Sequence, residues 1–122
     1  MEVKVSWNGP SGMSFRAETG SGHMVNMDGA PEGGGHNLAP RPMEMVLLGT
    51  GGCTAYDVVL ILKRGREDVR GCDVTLKAER ADTDPKVFTR IHFHFHCLFS
   101  PIKAAWRLGL RYCVCNIVMP HT

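Results

Sequence analysis

Three groups of side chains in this 122-residue chain have the types and spacing to do chemistry. The first is Cys53, which follows Gly51-Gly52 in the middle of the most apolar stretch and has Asp57 four residues on. A thiol attacks electrophiles as the thiolate, which needs a cation or a hydrogen-bond donor beside it. A carboxylate one helical turn away works in the opposite sense. On residue type alone a small core thiol is the simpler reading, because reduced cysteine is among the most buried residue types.

The second group is His92, His94 and His96, interleaved with Phe93 and Phe95. In a strand this spacing lines three imidazoles along one face at intervals of roughly 6.6 to 7 Å. Two of them could chelate one metal, and a ligand from elsewhere would complete a zinc or iron site. No HExxH pattern or facial-triad carboxylate accompanies them, so a solvated sheet face is the expectation and metal binding the alternative. The third group is Cys113-Val114-Cys115. Extended, the two thiols share a face; helical, they point to nearly opposite sides. Without a second cysteine pair they make no zinc knuckle, and either could partner Cys53 if their segment packs against it.

The elements that would position these groups follow from the patterning. Val3, Val5 and Trp7 alternate in the strand manner, and Met13 to Ala17 and His23 to Met27 form two further short runs. Pro10-Ser11-Gly12 and Gly20-Ser21-Gly22 separate them, which predicts a three-stranded antiparallel meander. Residues 30–42 carry Pro31, Pro40, Pro42 and Gly33-Gly34-Gly35. That composition forms neither helix nor central strand and reads as a flexible loop. No Lys-Ser/Thr follows the triple glycine, so it is not a phosphate cradle.

Pro42 suits a first helical position, and the run from Met43 ends in Lys63-Arg64-Gly65-Arg66, which predicts a long central helix. Its three glycines cost up to about 1 kcal/mol each relative to alanine, so close packing against another element must compensate. The same stretch is just long enough for a membrane span. Asp57 and the small block from Gly49 to Thr54 argue against that reading, since a lone carboxylate in hydrocarbon is costly. Cys72 to Ala81 and Val87 to Phe99 alternate as two half-buried strands around the Asp82-Thr83-Asp84-Pro85 turn, a hairpin. Ala104, Ala105, Leu108 and Tyr112 fall at helical spacing and predict a second, shorter helix from Pro101 to about Cys115.

Composition narrows the function classes. Fourteen Lys+Arg against 12 Asp+Glu give a formal charge of +2, 43% of residues are hydrophobic, and no block of like charge stands out. With no RNP-type motif, C2H2 spacing or basic helix, nucleic acid is not an expected partner. Five cysteines, an odd number without paired spacing, suit a reducing compartment. Met1 to Val5 shows no basic region leading into an apolar one, so the expected location is cytoplasmic and no membrane association is expected.

The segment Arg41-Pro42-Met43-Glu44-Met45-Val46-Leu47-Leu48-Gly49-Thr50-Gly51-Gly52-Cys53-Thr54-Ala55-Tyr56-Asp57-Val58-Val59 resembles the OsmC and organic hydroperoxide resistance family, in its YhfA-like branch. Ser21-Gly22-His23 and Met27-Asp28-Gly29 precede it, and Lys63-Arg64-Gly65-Arg66-Glu67-Asp68-Val69 follows. The resemblance runs from the first strand through Phe95. It implies one α+β domain over residues 1–122, with antiparallel sheets packed around a long central helix, and an intertwined homodimer with two sites at its interface. It also implies a role in the response to oxidative stress, namely thiol-dependent reduction of organic hydroperoxides by a cysteine pair. Cys53 matches the first cysteine, in the central helix, and Cys113, within Arg111-Tyr112-Cys113, matches the second, in the later helix.

On that resemblance the Cys53 thiolate attacks the peroxide and becomes a sulfenic acid, and Cys113 condenses with it to a disulfide that an external dithiol reduces. A site lined by Met, Leu and Phe types favours a lipid-like or aromatic hydroperoxide over hydrogen peroxide. No cofactor or metal is implied. The sequence departs from the strongly peroxidatic members at Met43, where they carry a glutamate. Glu44 is one residue on, about 100° round the helix. Arg16 is the candidate for their catalytic arginine by location only, so Arg16 and Glu44 both stay open as activators of Cys53, as do Cys113 and Cys115 as the resolving thiol. Residues 100–122 are atypical for the family and shorter than its usual C-terminus, which reads as a truncated or frameshifted end. The alternatives to a peroxidase are a non-catalytic ligand-binding protein of this fold and a metal-binding protein using His92, His94 and His96.

Overall fold

The computed structural model describes residues 1–101 and 109–118, with side chains through residue 99. The chain forms two compact units, Met1–Leu48 and Gly49–Thr122.

The first unit opens with the meander expected from the alternation. Strand β1 (Val3–Trp7) pairs antiparallel with β2 (Phe15–Thr19), Trp7 opposite Phe15, and β2 pairs antiparallel with β3 (Met24–Met27), Phe15 opposite Met27. Along β2, Phe15, Ala17 and Thr19 are half-buried while Arg16 and Glu18 are exposed, the period of two that a one-sided sheet requires. The Trp7 indole donates to the Gly12 carbonyl at 3.0 Å and so fastens the first turn. Gly22, at φ +88°, supplies the left-handed residue of the second.

The Gly/Pro segment that follows is tied to a single side chain. Asp28 is 2% exposed, and its carboxylate accepts from the backbone N–H groups of Gly29 (2.7 Å), His36 (3.2 Å) and Leu38 (3.1 Å). Its own N–H donates to the Pro40 carbonyl at 3.0 Å. Between these anchors runs the 3-10 turn η1 (Pro31–Gly33). Gly35 is buried against the Gly29 backbone so closely that a Cβ at this position would collide with it.

Helix α1 (Pro42–Arg64) begins at the proline, as its fixed φ favours. The Arg41 N–H donates to Glu44 Oε2 at 3.2 Å, the reciprocal half of a capping box. Lys63 and Arg64 face the negative end of the helix dipole, and the Gly65 N–H closes the last turn on the Ile61 carbonyl at 2.9 Å. Arg66 then turns the chain at φ +58°, a conformation more usual for glycine.

In the second unit β4 (Glu67–Arg80) and β5 (Phe88–Pro101) form the expected hairpin, which extends past the predicted runs at its open end. A bulge between Val69 and Gly71 lets the pairing continue past Cys72 to Glu67. One face carries Cys72, Val74, Leu76 and Ala78 directly opposite Cys97, Phe95, Phe93 and Ile91. Phe93 and Ile91 are 1% exposed and Phe95 4%, so this face holds the core, with the Phe93 and Phe95 rings stacked 6.2 Å apart. Gly51 is the buried residue of α1, and it lies on this face: a Cβ there would stand 2.7 Å from Leu76 Cδ1 and 3.7 Å from Val74 Cγ1.

The second predicted helix is not found. Residues Gly109–Val118 form strand β6, antiparallel to β5 from Arg90 opposite Val118 to Phe99 opposite Gly109, and residues 102–108 of the expected helix lie outside the described residues. Val114, Ile117 and Val118 are β-branched and Tyr112 aromatic, side chains that suit a sheet. Pairing also makes β5 a central strand rather than an open edge, which outweighs the helical spacing from Gly109 on. The architecture is α+β; the described residues form two three-stranded antiparallel sheets and one long helix.

If Gly51 sets the seat of α1 on β4, filling it must cost stability. Gly51→Val is expected to lower the unfolding free energy by about 1–3 kcal/mol through overpacking against Leu76 and Val74, measured by urea denaturation. An unchanged midpoint would show that the seat tolerates a side chain.

Candidate functional site

Cys53 sits on α1 two residues beyond Gly51, about 200° further round the helix. Because Gly51 faces the sheet, Cys53 faces away from it, and its side chain is exposed. The core-thiol reading is therefore corrected: the helix spends its buried position on a glycine and turns the thiol outward. Around Cys53 the helix surface consists of Gly49, Gly52, Tyr56 and Asp57, all exposed, with Tyr56 at 70%. Among the described residues, nothing beyond the chain neighbours and the helix's own backbone lies within 4 Å of where a Cβ on Gly49 or Gly52 would be, so packing among those residues requires neither glycine. Thr54 turns its hydroxyl back into the helix, donating to the carbonyls of Thr50 and Gly51, each at 3.0 Å. Asp57, at i+4, shares the Cys53 side.

The other sequence candidates belong to different elements. Glu44 is engaged with the Arg41 N–H at the helix start. Nine residues along a regular helix correspond to about 13.5 Å of rise and half a turn of phase, so Glu44 is a capping residue rather than a neighbour of the thiol. Arg16 is exposed on β2, opposite Ser6 and Asn26. Cys113 and Cys115 take register positions on β6 opposite Phe95 and Phe93, in a strand rather than the helix expected for the second cysteine, and their side chains lie outside the described ones.

His92, His94 and His96 occupy the β5 face away from the core, opposite Lys77, Thr75 and Asp73. His94 is exposed and the other two half-buried. Among the described residues no group of three or more His, Cys, Asp or Glu side chains could hold a metal ion. Side chains on a strand face stand parallel rather than converging, which is why three histidines at period two fail as a ligand set.

A family model described as "OsmC-like protein" matches residues 34–119, which include all of α1 and the cysteine it carries. The chain belongs to the OsmC family. Membership places it among stress-response, peroxidase-like proteins of α+β fold. Over 105 residues it is 46% identical to Protein YhfA of Escherichia coli strain K12, covering 86% of this chain and 74% of that one. The Shigella flexneri Protein YhfA matches to the same extent. A solved chain titled "structural genomics" superposes with a TM-score of 0.62 at 45% identity, over 75% of this chain. The chain spans 63% of that solved chain's length.

Asp28 is the residue that sequence reasoning undervalued. It was visible only as part of Met27-Asp28-Gly29, a turn signal, whereas its carboxylate organises the whole loop before α1. Hydrogen bonds from Leu38 and Gly29 hold its carboxyl below the ordinary aspartate value, the His36 N–H and the His36 charge adding to them, while burial acts in the opposite direction. Asp28 also lines an open pocket of the first unit that mixes polar residues such as Asn8, Asn26 and His36 with apolar ones such as Phe15 and Leu38.

A carboxyl whose pKa is depressed by folding stabilises the fold above its unfolded value, about 3.9, and that stability is lost as pH falls through the folded value. Acid titration followed by circular dichroism is expected to show Asp28→Asn unfolding with a weaker pH dependence below about pH 4 than the parent. Parallel acid transitions in the two proteins would contradict this role.

Proposed function

We propose that the chain reduces organic hydroperoxides, with Cys53 as the peroxidatic thiol and a dithiol as reductant, and that it acts as a homodimer in a reducing, cytoplasmic setting. The observation that carries this reading is the exposure of Cys53 on an OsmC-family helix, just after two glycines, Gly49 and Gly52, that leave space above the backbone. The Cys53 thiolate attacks the terminal peroxide oxygen; the O–O bond breaks, the alcohol leaves and a sulfenic acid remains. A second thiol attacks the sulfenic sulfur and expels water, leaving a disulfide; Cys113 is the family's position for it and Cys115 the neighbouring choice. A dithiol then resets the pair by exchange.

Exposed apolar surface on the same helix supports the dimer. Tyr56 is 70% and Ile61 67% exposed, an arrangement that a second copy laid along α1 would cover. Gly49 and Gly52 would allow its backbone to approach closely, which explains two glycines that packing among the described residues does not need. Closing a second chain over Cys53 also supplies what the exposed thiol lacks in one copy, a sheltered apolar surface for the substrate and a source of donors to the thiolate.

Purified protein with excess dithiol is expected to consume cumene hydroperoxide faster than hydrogen peroxide, and Cys53→Ser to lose at least about 100-fold of that activity, as when a nucleophile is removed. Turnover unaffected by Cys53→Ser would overturn the peroxidase reading. Gly52→Leu places its side chain in open space within one chain, so it is expected to keep the fold while converting a dimer to a monomer in analytical ultracentrifugation. A parent protein that sediments as a monomer at micromolar concentration would refute the assembly.

A further inference from the structure

The hairpin carries two cysteines that the peroxidase chemistry does not use. Cys72 on β4 and Cys97 on β5 are direct register partners, and their sulfurs are 2.9 Å apart. Opposed residues in an antiparallel ladder have Cα separations of about 4.5 or 5.5 Å, and both values lie inside the window of about 4.4–6.8 Å that a disulfide accepts. The backbone thus already holds the pair at bonding separation. The next pair on the same face is Val74 with Phe95, so the two thiols sit at the end of the apolar core face.

The two sulfurs differ in access. Cys97 is 5% exposed, whereas Cys72 is only half-buried. We propose that Cys72 and Cys97 are an oxidisable dithiol, separate from Cys53, that closes to an intrachain cross-strand disulfide by exchange with a small-molecule disulfide such as oxidised glutathione. Cys72, the reachable thiol, loses its proton and attacks one sulfur of the small disulfide, displacing one thiolate and forming a mixed disulfide. Cys97 then loses its proton and attacks the Cys72 sulfur, forming the Cys72–Cys97 bond and displacing the second thiolate. The two protons end on the two released thiols: the protein is oxidised by two electrons and the small disulfide is reduced by two. Closure joins strands already paired over their full length, so it requires no rearrangement of β4 or β5. An added dithiol reverses it.

This inference does not depend on hydroperoxide reduction, because the oxidant is a disulfide and Cys53 takes no part. The full-length protein, and a variant with serine at positions 53, 113 and 115, are incubated with oxidised glutathione, alkylated and digested with trypsin without reduction. The expected product links peptide 71–77 to peptide 91–103, with loss of two hydrogens and no retained glutathione, in both proteins. Cys97→Ser is expected to stop at glutathione on Cys72, since the resolving thiol is gone. Glutathione persisting on Cys72 in the parent with Cys97 alkylated would overturn the proposal. So would alkylation of both thiols at an oxidant concentration that oxidises Cys53. Use of the parent protein alongside the variant keeps the outcome readable if the serine substitutions impair folding.

Discussion

Helix α1 meets its own sheet through a residue with no side chain. Gly51 is the position of α1 buried on the β4–β5 face, with Leu76 and Val74 where its Cβ would be. A helix seated this closely commits one narrow stripe to its own sheet and leaves the rest of its circumference facing outward. The consequence for chemistry is immediate: 200° round the helix, Cys53 is presented away from the sheet. The consequence for assembly follows from the same geometry. A helix apolar on nearly all sides normally belongs in an interior, yet Tyr56 and Ile61 stand exposed. In the proposed homodimer a second α1 would cover these side chains, and the glycines at 49 and 52 would admit its backbone.

The same economy governs the first unit. Residues 29–40 contain two prolines and four glycines, a composition with little capacity for regular backbone pairing. One buried carboxylate replaces that pairing. By accepting three backbone N–H groups and sending its own N–H to Pro40, Asp28 fixes both ends of the segment that delivers the chain to Pro42. A buried charge is tolerated when its lone pairs are filled in this way, and its depressed pKa is the electrostatic sign of that filling.

Much of this was legible from residues. The meander, the start of α1 at Pro42, its basic end and the 72–99 hairpin all follow from period and punctuation, because each depends on local sequence. The family motif around Gly51-Gly52-Cys53 singled out a thiol whose residue type reads as core and which the structure leaves exposed. What failed did so for nonlocal reasons. Where the expected second helix overlaps the described residues, at 109–115, strand pairing with β5 prevails, an interaction no window of sequence contains. Cys72 and Cys97 looked unpaired because they are 25 residues apart, although the turn at 82–85 places them opposite one another once the hairpin register is drawn. The histidine ladder had the right face but not convergence, which period-two spacing does not provide.

The central claim is that the outward thiol of α1 is the one that meets the oxidant. It is tested most directly by treating reduced protein with one equivalent of cumene hydroperoxide in the presence of dimedone and locating the adduct by peptide mass. The account predicts the sulfenic-acid adduct on Cys53, strengthened when Cys113 and Cys115 are replaced by serine. An adduct on another cysteine with Cys53 unmodified would contradict it.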